Sequence, residues 1–444
     1  MSQSPENPDL LDVNEQNESF SFVKMEHEVL KFWEDKKIFE KSLDQTRKGK
    51  PYIFYDGPPF ATGLPHHGHI VGCTLKDIIP RYFTMRGHYV SRRFGWDCHG
   101  LPIEHEIDKK LGLSAQEAVK KLGIAGYNDE CRSIVQRFTK EWEKTVNRLG
   151  RWVDFKNDYR TMDLNFMESV WWVFKELWNK NLIYQGTRVV PFSTALGTVL
   201  SNFEASSNYM DVQDPAITIL FKLDNEDTFI AAWTTTPWTL PSNLALCVND
   251  NITYVKVLDK NKNIKIILAE DRLDYYKKKN ELEILESFKG STLKGKTYEP
   301  LFPYFKALKS KGCFQILTDD YVTTTDGTGV VHTAPAFGED DNRVMKAHKI
   351  YEIVCPVDDS GKFTSEVSDY VNTYVKEADK NIIRDLKTAN KLYDQSTLVH
   401  SYPFCPRSDT PLIYKSIPSW YVKVEEIKSD LVQQNKEINW VPEH

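Results

Sequence analysis

Residues 52–77 read YIFYDGPPFATGLPHHGHIVGCTLKD. The stretch predicts a buried strand at Tyr52–Tyr55, a turn punctuated by proline and glycine, and a helix from Gly68 to about Arg86. His66, Gly68 and His69 fall at the start of that helix. A strand that feeds a helix through a glycine-containing loop is a ready anion site, because unpaired backbone N–H groups and the helix dipole face the ligand. Two imidazoles on the same turn add donors where a phosphate would sit. The chemistry implied is nucleotide binding with substitution at phosphorus.

Outward from there, Phe22, Val29, Leu30, Trp33, Ile38 and Phe39 predict an amphipathic helix between Phe20 and about Lys48. Pro80 is expected to kink or interrupt the helix after the turn. A second strand is expected at His88–Phe94, and GWDCHGLP (95–102) reads as a turn entering another helix at Pro102. Strand, helix and strand so close together make a βαβ unit and a parallel sheet. Long helices are expected at Tyr127–Leu149 and Asp163–Asn181. The stripe Val170, Trp171, Phe174, Leu177 and Trp178 in the second reads as core packing. Beyond Tyr184 short β-branched runs take over, at Ala216–Lys222, Thr228–Trp233, Thr253–Leu258, Ile264–Leu268, Tyr321–Thr325 and Gly329–His332. The expected division is a disordered lead-in (1–19), the N-terminal half of a Rossmann-like α/β domain (20–205), an inserted β-rich α+β domain (206–398) and a return segment (399–444).

The totals narrow the partners. At 444 residues more than one core is needed. A net charge of −6 argues against a dedicated basic nucleic-acid module. The window 255–311, with thirteen Lys and one Arg against eight acids, is locally basic and reads first as a solvated surface. Seven scattered cysteines without a CxxC pair fit a reducing compartment rather than a disulfide framework. No apolar run approaches the ~20 residues of a membrane span. The first twenty residues hold five acids, no Lys or Arg and no apolar core, so neither a signal nor a transit peptide is expected. The cytoplasm is the expected location. Five of the eleven histidines lie between 66 and 99, yet none has the spacing of a zinc site, so no metal is expected there.

Two further stretches matter together. AAWTTTPWTLPSN (231–243) alone would read as a threonine-rich strand. GTGVVHTAPAFGEDD (327–341) sets a histidine and acids beside a glycine-rich turn.

FYDGPPFATGLPHHGHI followed by GWDCHGLPIEHEID resembles the N-terminal catalytic region of the class I aminoacyl-tRNA synthetases. Within that class it is most similar to the cytoplasmic isoleucine-specific branch, and the likeness runs from about residue 20 to the end. The resemblance implies ATP-dependent activation of isoleucine and transfer to tRNA(Ile), with Mg²⁺ accompanying the ATP. It implies that His66 and His69 contact phosphate, that Gly68 lets the nucleotide approach, that Asp97 takes the amino acid's α-ammonium, and that Pro58 lines the isoleucine pocket. Other synthetases of a cytosolic complex are implied as further partners.

The two later stretches match the editing peptides of the isoleucine, valine and leucine enzymes, on Thr234, Thr235, Thr236, Asn243, His332 and Asp341. Asp341 would hold the α-ammonium of the mischarged residue, and no nucleophile is legible, so a positioned water is the expected attacking group. One methylene separates valine from isoleucine by only about 1–3 kcal/mol, a magnitude known from synthetases of this specificity and taken over as such. A second, sterically exclusive site supplies the remaining discrimination.

The pattern departs from the family in two places. Asn342 stands where an aromatic is common, and Ser408 three residues after Cys405 leaves no cysteine pair, so no zinc is expected. No KMSKS-like stretch occurs. The chain is therefore expected to be the N-terminal portion of a protein roughly twice as long, with hydrolysis the activity most readily retained. A nucleotidyltransferase acting on a small metabolite is one alternative, which leaves the paired later stretches unexplained; a non-catalytic tRNA-binding or regulatory fragment is the other.

Overall fold

The computed structural model describes residues 20–443, so the lead-in expected at 1–19 lies outside the described residues. The chain divides between Glu176 and Leu177 into two compact units. No helix among the described residues is long and apolar enough to cross a membrane.

The first unit is mostly helical. The single helix expected at its start is two, α1 (Phe22–Asp35) and α2 (Ile38–Thr46), because Lys37 between them takes a left-handed backbone at φ 51°. α3 (His67–Met85) follows the proline turn and continues through Pro80. Three more helices follow in the chain, α4 (Leu101–Leu111), α5 (Ala115–Ile134) and α6 (Thr139–Arg148). The helix expected at Tyr127–Leu149 is thus parts of two. α5 begins earlier, where Ser114 and Glu117 cap each other reciprocally, and it bends at Gly123 with φ 74°.

The parallel pairing is real but shifted. β1 is Arg93–Trp96, and its ladder partner is β2 (Asp154–Arg160), which the sequence did not announce. Tyr52–Tyr55 forms no ladder. That segment touches the sheet only through isolated parallel bridges at Pro51↔Tyr89 and Phe60↔Asp97. Pro51, Pro58 and Pro59 have no N–H to give, which interrupts any continuous ladder. The core is Phe94, Trp96, Ile103, Ile107, Trp142 and Val146 around the buried Ala61.

Gly95 of the GWDCHG motif is required by this pairing. A Cβ on it would lie 2.2 Å from Cζ of Tyr159. Gly95→Ala is therefore expected to lower the unfolding free energy by about 1–3 kcal/mol, read as a lower urea midpoint at unchanged slope.

α7 (Leu164–Asn179) closes the first unit and enters the second. Its apolar stripe is not core. Val170, Trp171, Phe174 and Trp178 are exposed, although Trp178 still meets the ring of Trp420 at 5.8 Å.

The second unit has two sheets. β14 (Ile413–Val422), β3 (Ile183–Ser193) and β4 (Thr198–Val199) form one, with β3 central and antiparallel to both. α8 (Asn202–Ser206) leads from it to β5 (Tyr209–Lys222), which pairs antiparallel with β13 (Leu392–Pro403) along a long ribbon. The ribbon joins a mixed sheet through β6 (Phe229–Thr234), whose other neighbours are β9 (Ile264–Ala269) and β12 (Val331–Thr333). β8 (Thr253–Asp259) and β10 (Leu282–Lys289) extend it on one side; β7 (Ala245–Val248) and β11 (Gln315–Thr318) extend it on the other.

β3, β4, β7, β10, β11, β13 and β14 were not foreseen, and the strand expected at Tyr321–Thr325 is a loop. The guanidinium of Arg272 donates to the carbonyls of Thr324, Thr325 and Gly327, occupying acceptors that a neighbouring strand would need. α9 (Leu273–Lys277), α10 (Glu339–Ala347) and α11 (Val375–Thr388) complete this part, and α12 (Lys428–Asn435) follows β14. Six of the thirteen lysines at 255–311 face carboxylates: Lys256, Lys260, Lys279, Lys296, Lys309 and Lys311.

Candidate functional sites

In the first unit, His66 is the residue just before α3, with extended backbone at φ −114° and ψ 174°. Its amide donates to Nδ1 of His69 at 3.2 Å, and the two rings stack with centroids 3.6 Å apart. Nδ1 can accept only while it carries no proton, so a neutral His69 has its hydrogen on Nε2 and keeps a donor. Burial, then the neighbouring His66 and Lys76, hold the His69 pKa below its ordinary value. Gly68 leaves the His66 ring its place, since a Cβ there would lie 3.0 Å from Cε1 of His66 and the exposed ring would have to shift.

The loop ahead of the helix is pinned from several sides. Trp142 donates its indole N–H to Gly63 O at 2.9 Å and packs edge-on against His69 at 4.7 Å. Phe138 donates its amide to Ala61 O at 3.0 Å. At the start of DGPPF, the carboxylate of Asp56 is held by Lys76 and by the buried Arg151, the latter at 2.6 Å. Lys76 also reaches Gly57 O at 3.1 Å. These two cations were missed in the sequence; Lys76 lies within the quoted stretch, on the same helix as the histidines. The Asp97 amide donates to Pro59 O at 2.9 Å, bringing the Pro58–Pro59 turn and half-buried Asp97 side by side. A groove of about 590 Å³ runs along Tyr52–Asp56 and includes neither histidine of the motif.

In the second unit the threonines and the histidine meet. β6 ends at Thr234, and a 3₁₀ turn, Pro237–Ser242, follows. Thr234 Oγ1 accepts the Thr236 amide at 3.0 Å and lies 3.2 Å from Thr236 Oγ1. Thr236 Oγ1 is 3.4 Å from Thr239 Oγ1, which is 2.8 Å from Nε2 of His332 on β12. The result is an unbroken chain of hydroxyls ending on an imidazole. Thr235, half-buried beside it, has no side-chain hydrogen bond among the described residues.

His332 is 7% exposed, its Nδ1 lacks a partner among the described residues, and burial pushes its pKa down to about 4. It is a neutral imidazole at physiological pH. Thr239 was not singled out in the sequence, although its spacing of three from Thr236 suits a single helical turn.

Asn243 is buried at the end of the 3₁₀ turn. Its Nδ2 donates to Ala245 O at 2.8 Å and its Oδ1 accepts the Tyr298 hydroxyl at 2.7 Å, both in the core. Asp341 lies in the first turn of α10, where its Oδ2 accepts the Ala334 amide at 2.8 Å. Gly338 makes room for it, since a Cβ there would fall 2.7 Å from Asp341 Cγ. Burial pushes the Asp341 pKa up to about 6 against the pull of that amide, so near neutral pH the carboxylate is ionised and short of counter-charge. Asn342, behind it, donates to Pro335 O at 3.0 Å and fastens the turn. The arrangement offers an anion for a cationic group and an oriented string of hydroxyls for a polar one. It offers no activated nucleophile.

The family model described as tRNA synthetases class I (I, L, M and V) matches residues 28–444, and the chain belongs to that family. Among individual relatives it is similar to an isoleucine–tRNA ligase of Bdellovibrio bacteriovorus, with 57% identity over 427 residues, 96% of this chain and 40% of the relative. It is also similar to the cytoplasmic isoleucine–tRNA ligase of Mus musculus, 55% identical over 437 residues, covering 97% of this chain and 35% of the relative. The cytoplasmic isoleucine–tRNA ligase of Arabidopsis thaliana is 51% identical over 463 residues, 96% of this chain and 39% of its own length. The chain thus spans about two-fifths of the length of the relatives it matches.

Proposed function

We propose that the chain is part of an isoleucine–tRNA ligase whose first unit contributes to activation of isoleucine by ATP and whose second unit hydrolyses valyl-tRNA(Ile). The observation that carries the hydrolytic half is the Thr234–Thr236–Thr239–His332 chain, with Asp341 close by in sequence on the helix that follows. The α-ammonium of the mischarged valine pairs with Asp341. The hydroxyls and the terminal ribose of the tRNA orient a water; water adds to the ester carbonyl, the C–O bond to ribose breaks, and the ribose oxygen takes the proton. A neutral His332 anchors the hydroxyl chain rather than abstracting the proton.

For activation, the isoleucine carboxylate attacks the α-phosphorus of ATP and pyrophosphate leaves. His66 and His69 at the start of α3 meet the phosphates, with Gly68 allowing close approach, and Mg²⁺ arrives with the nucleotide. Asp97 receives the amino acid's α-ammonium, and Pro58, on the adjoining turn, lines its side-chain pocket. Residues 206–398 then form the inserted domain, its stalk being the β5–β13 ribbon that opens at Tyr209 and Pro403. A cytoplasmic location and association with other synthetases complete the reading; the mouse and Arabidopsis relatives carry the cytoplasmic description.

The activation half is tested by isoleucine-dependent ATP–pyrophosphate exchange in a chain extended to the length of its relatives. Exchange with isoleucine supports the reading; none, or exchange with an unrelated metabolite, rejects it in favour of another nucleotidyltransferase.

A further inference from the structure

Thr239 reaches His332 because the 3₁₀ turn Pro237–Ser242 carries it there, so whatever fixes the turn fixes the hydroxyl chain. The start of that turn is held from outside. The Trp238 amide, one of the donors that a helix start leaves unpaired, donates to Oδ1 of Asp379 on α11 at 2.8 Å. Asp379 is 5% exposed. The indole of Trp238 packs edge-on against Phe337 at 4.9 Å, and Phe337 lies in the turn that offers Ala334's amide to Asp341. Trp238 therefore joins both halves of the site, by its ring to the Asp341 turn and by its amide to Asp379.

We propose that Asp379 is a positioning residue of the hydrolytic site: its carboxylate locks the Trp238 amide, and through it the Thr236–Thr239–His332 chain, without touching substrate. The proposal rests on the deacylase reading above and names a control on it.

The choice of a carboxylate has a consequence that an amide would not have. Burial pushes the Asp379 pKa up to about 7, against Lys376 and the Trp238 amide, which favour the charge. Lys376, on the same helix, is drawn off by Asp214 of β5 at 3.0 Å, and Asp214 also meets His400 of β13 at 3.1 Å. Tyr402 of β13 faces the same cluster. Between the ordinary value of 3.8 and about 7 the folded state keeps a proton that the unfolded chain has lost, so stability falls as pH rises through that window. Above it the carboxylate is ionised and is the stronger acceptor for the amide. The site is thus best held where the unit carries its greatest electrostatic cost. Asp379→Asn should move stability and turnover in opposite directions.

The test measures single-turnover hydrolysis of valyl-tRNA(Ile) by the 444-residue chain, from about pH 6 to about pH 8, alongside hydrogen exchange of residues 234–243. In the unmodified chain the rate is expected to rise with a midpoint near about pH 7. Asp379→Asn should lose that limb, run about tenfold slower at pH 8 and melt at a higher temperature there. Asp379→Ala should be slower still, with faster exchange at 234–243. A folded Asp379→Ala chain with unchanged rate, pH profile and exchange overturns the proposal. Should the unmodified chain hydrolyse nothing, the deacylase reading fails; exchange in Asp379→Ala then decides the lock, faster exchange supporting it and unchanged exchange overturning it.

Discussion

Asp341→Ala is expected to slow hydrolysis of valyl-tRNA(Ile) by about a hundredfold or more while leaving the second unit folded. Asp341 is a half-buried carboxylate in a helix's first turn, pushed up to about 6 by burial. An arriving ammonium supplies the charge that burial withholds, and removing the carboxylate leaves that ammonium desolvated and unpaired. Folding gains little from the ionised group. Its folded pKa lies above the ordinary 3.8, so between about 4 and about 6 stability falls as pH rises, and the charge opposes folding at neutral pH. Losing it offsets the lost bond from Ala334, and the unfolding free energy at pH 8 should stay within about 1 kcal/mol of the unmodified chain. Hydrolysis by the unmodified chain should fail as pH drops below about 6, where Asp341 takes up its proton. An Asp341→Ala chain that unfolds, or that retains the rate, contradicts this.

His69→Ala is expected to reduce isoleucine-dependent pyrophosphate exchange, in the longer chain, by about a hundredfold to a thousandfold, the range found when one preorganised donor to a developing oxyanion is lost. The loss should appear mainly in kcat, because a donor that meets charge developing in the transition state contributes little to ground-state binding. The Nδ1 of His69 is committed to the His66 amide, which leaves Nε2–H as the donor. His69→Asn, which keeps a donor on a shorter stem, should recover part of the rate. Equal losses in both variants would point to a structural role through the Trp142 contact instead.

How much of this was legible in the sequence differs between the two sites. The histidine turn was readable because a proline–glycine loop before a helix is local chemistry, and α3 begins at His67, one residue from expectation. The strand before it was not, since prolines at 51, 58 and 59 leave bridges in place of a ladder. β2, the true partner of β1, is DFKNDYR, polar and without alternation, and only its pairing makes it a strand. The stripe on α7 shows the limit of periodicity, which records that a face is apolar and says nothing of what covers it. In the second unit, His332 lies ninety-odd residues from Thr234, Thr236 and Thr239 and meets them through the β6–β12–β7 pairing. Asn243 enters the site by the resemblance of its stretch to the editing peptides, and the fold shows its amide bonded to Ala245 O and to the Tyr298 hydroxyl. Asp379 had no signal at all: it is one acid on an ordinary amphipathic helix, and only the fold brings it to the Trp238 amide.

The most direct measurement offers the 444-residue chain valyl-tRNA(Ile) and isoleucyl-tRNA(Ile) separately and follows release of the amino acid in a single turnover. The account predicts rapid loss of valine and little loss of isoleucine, because one extra methylene overfills a close-fitting pocket. Equal rates on both esters, or no hydrolysis of either by a folded chain, would contradict it.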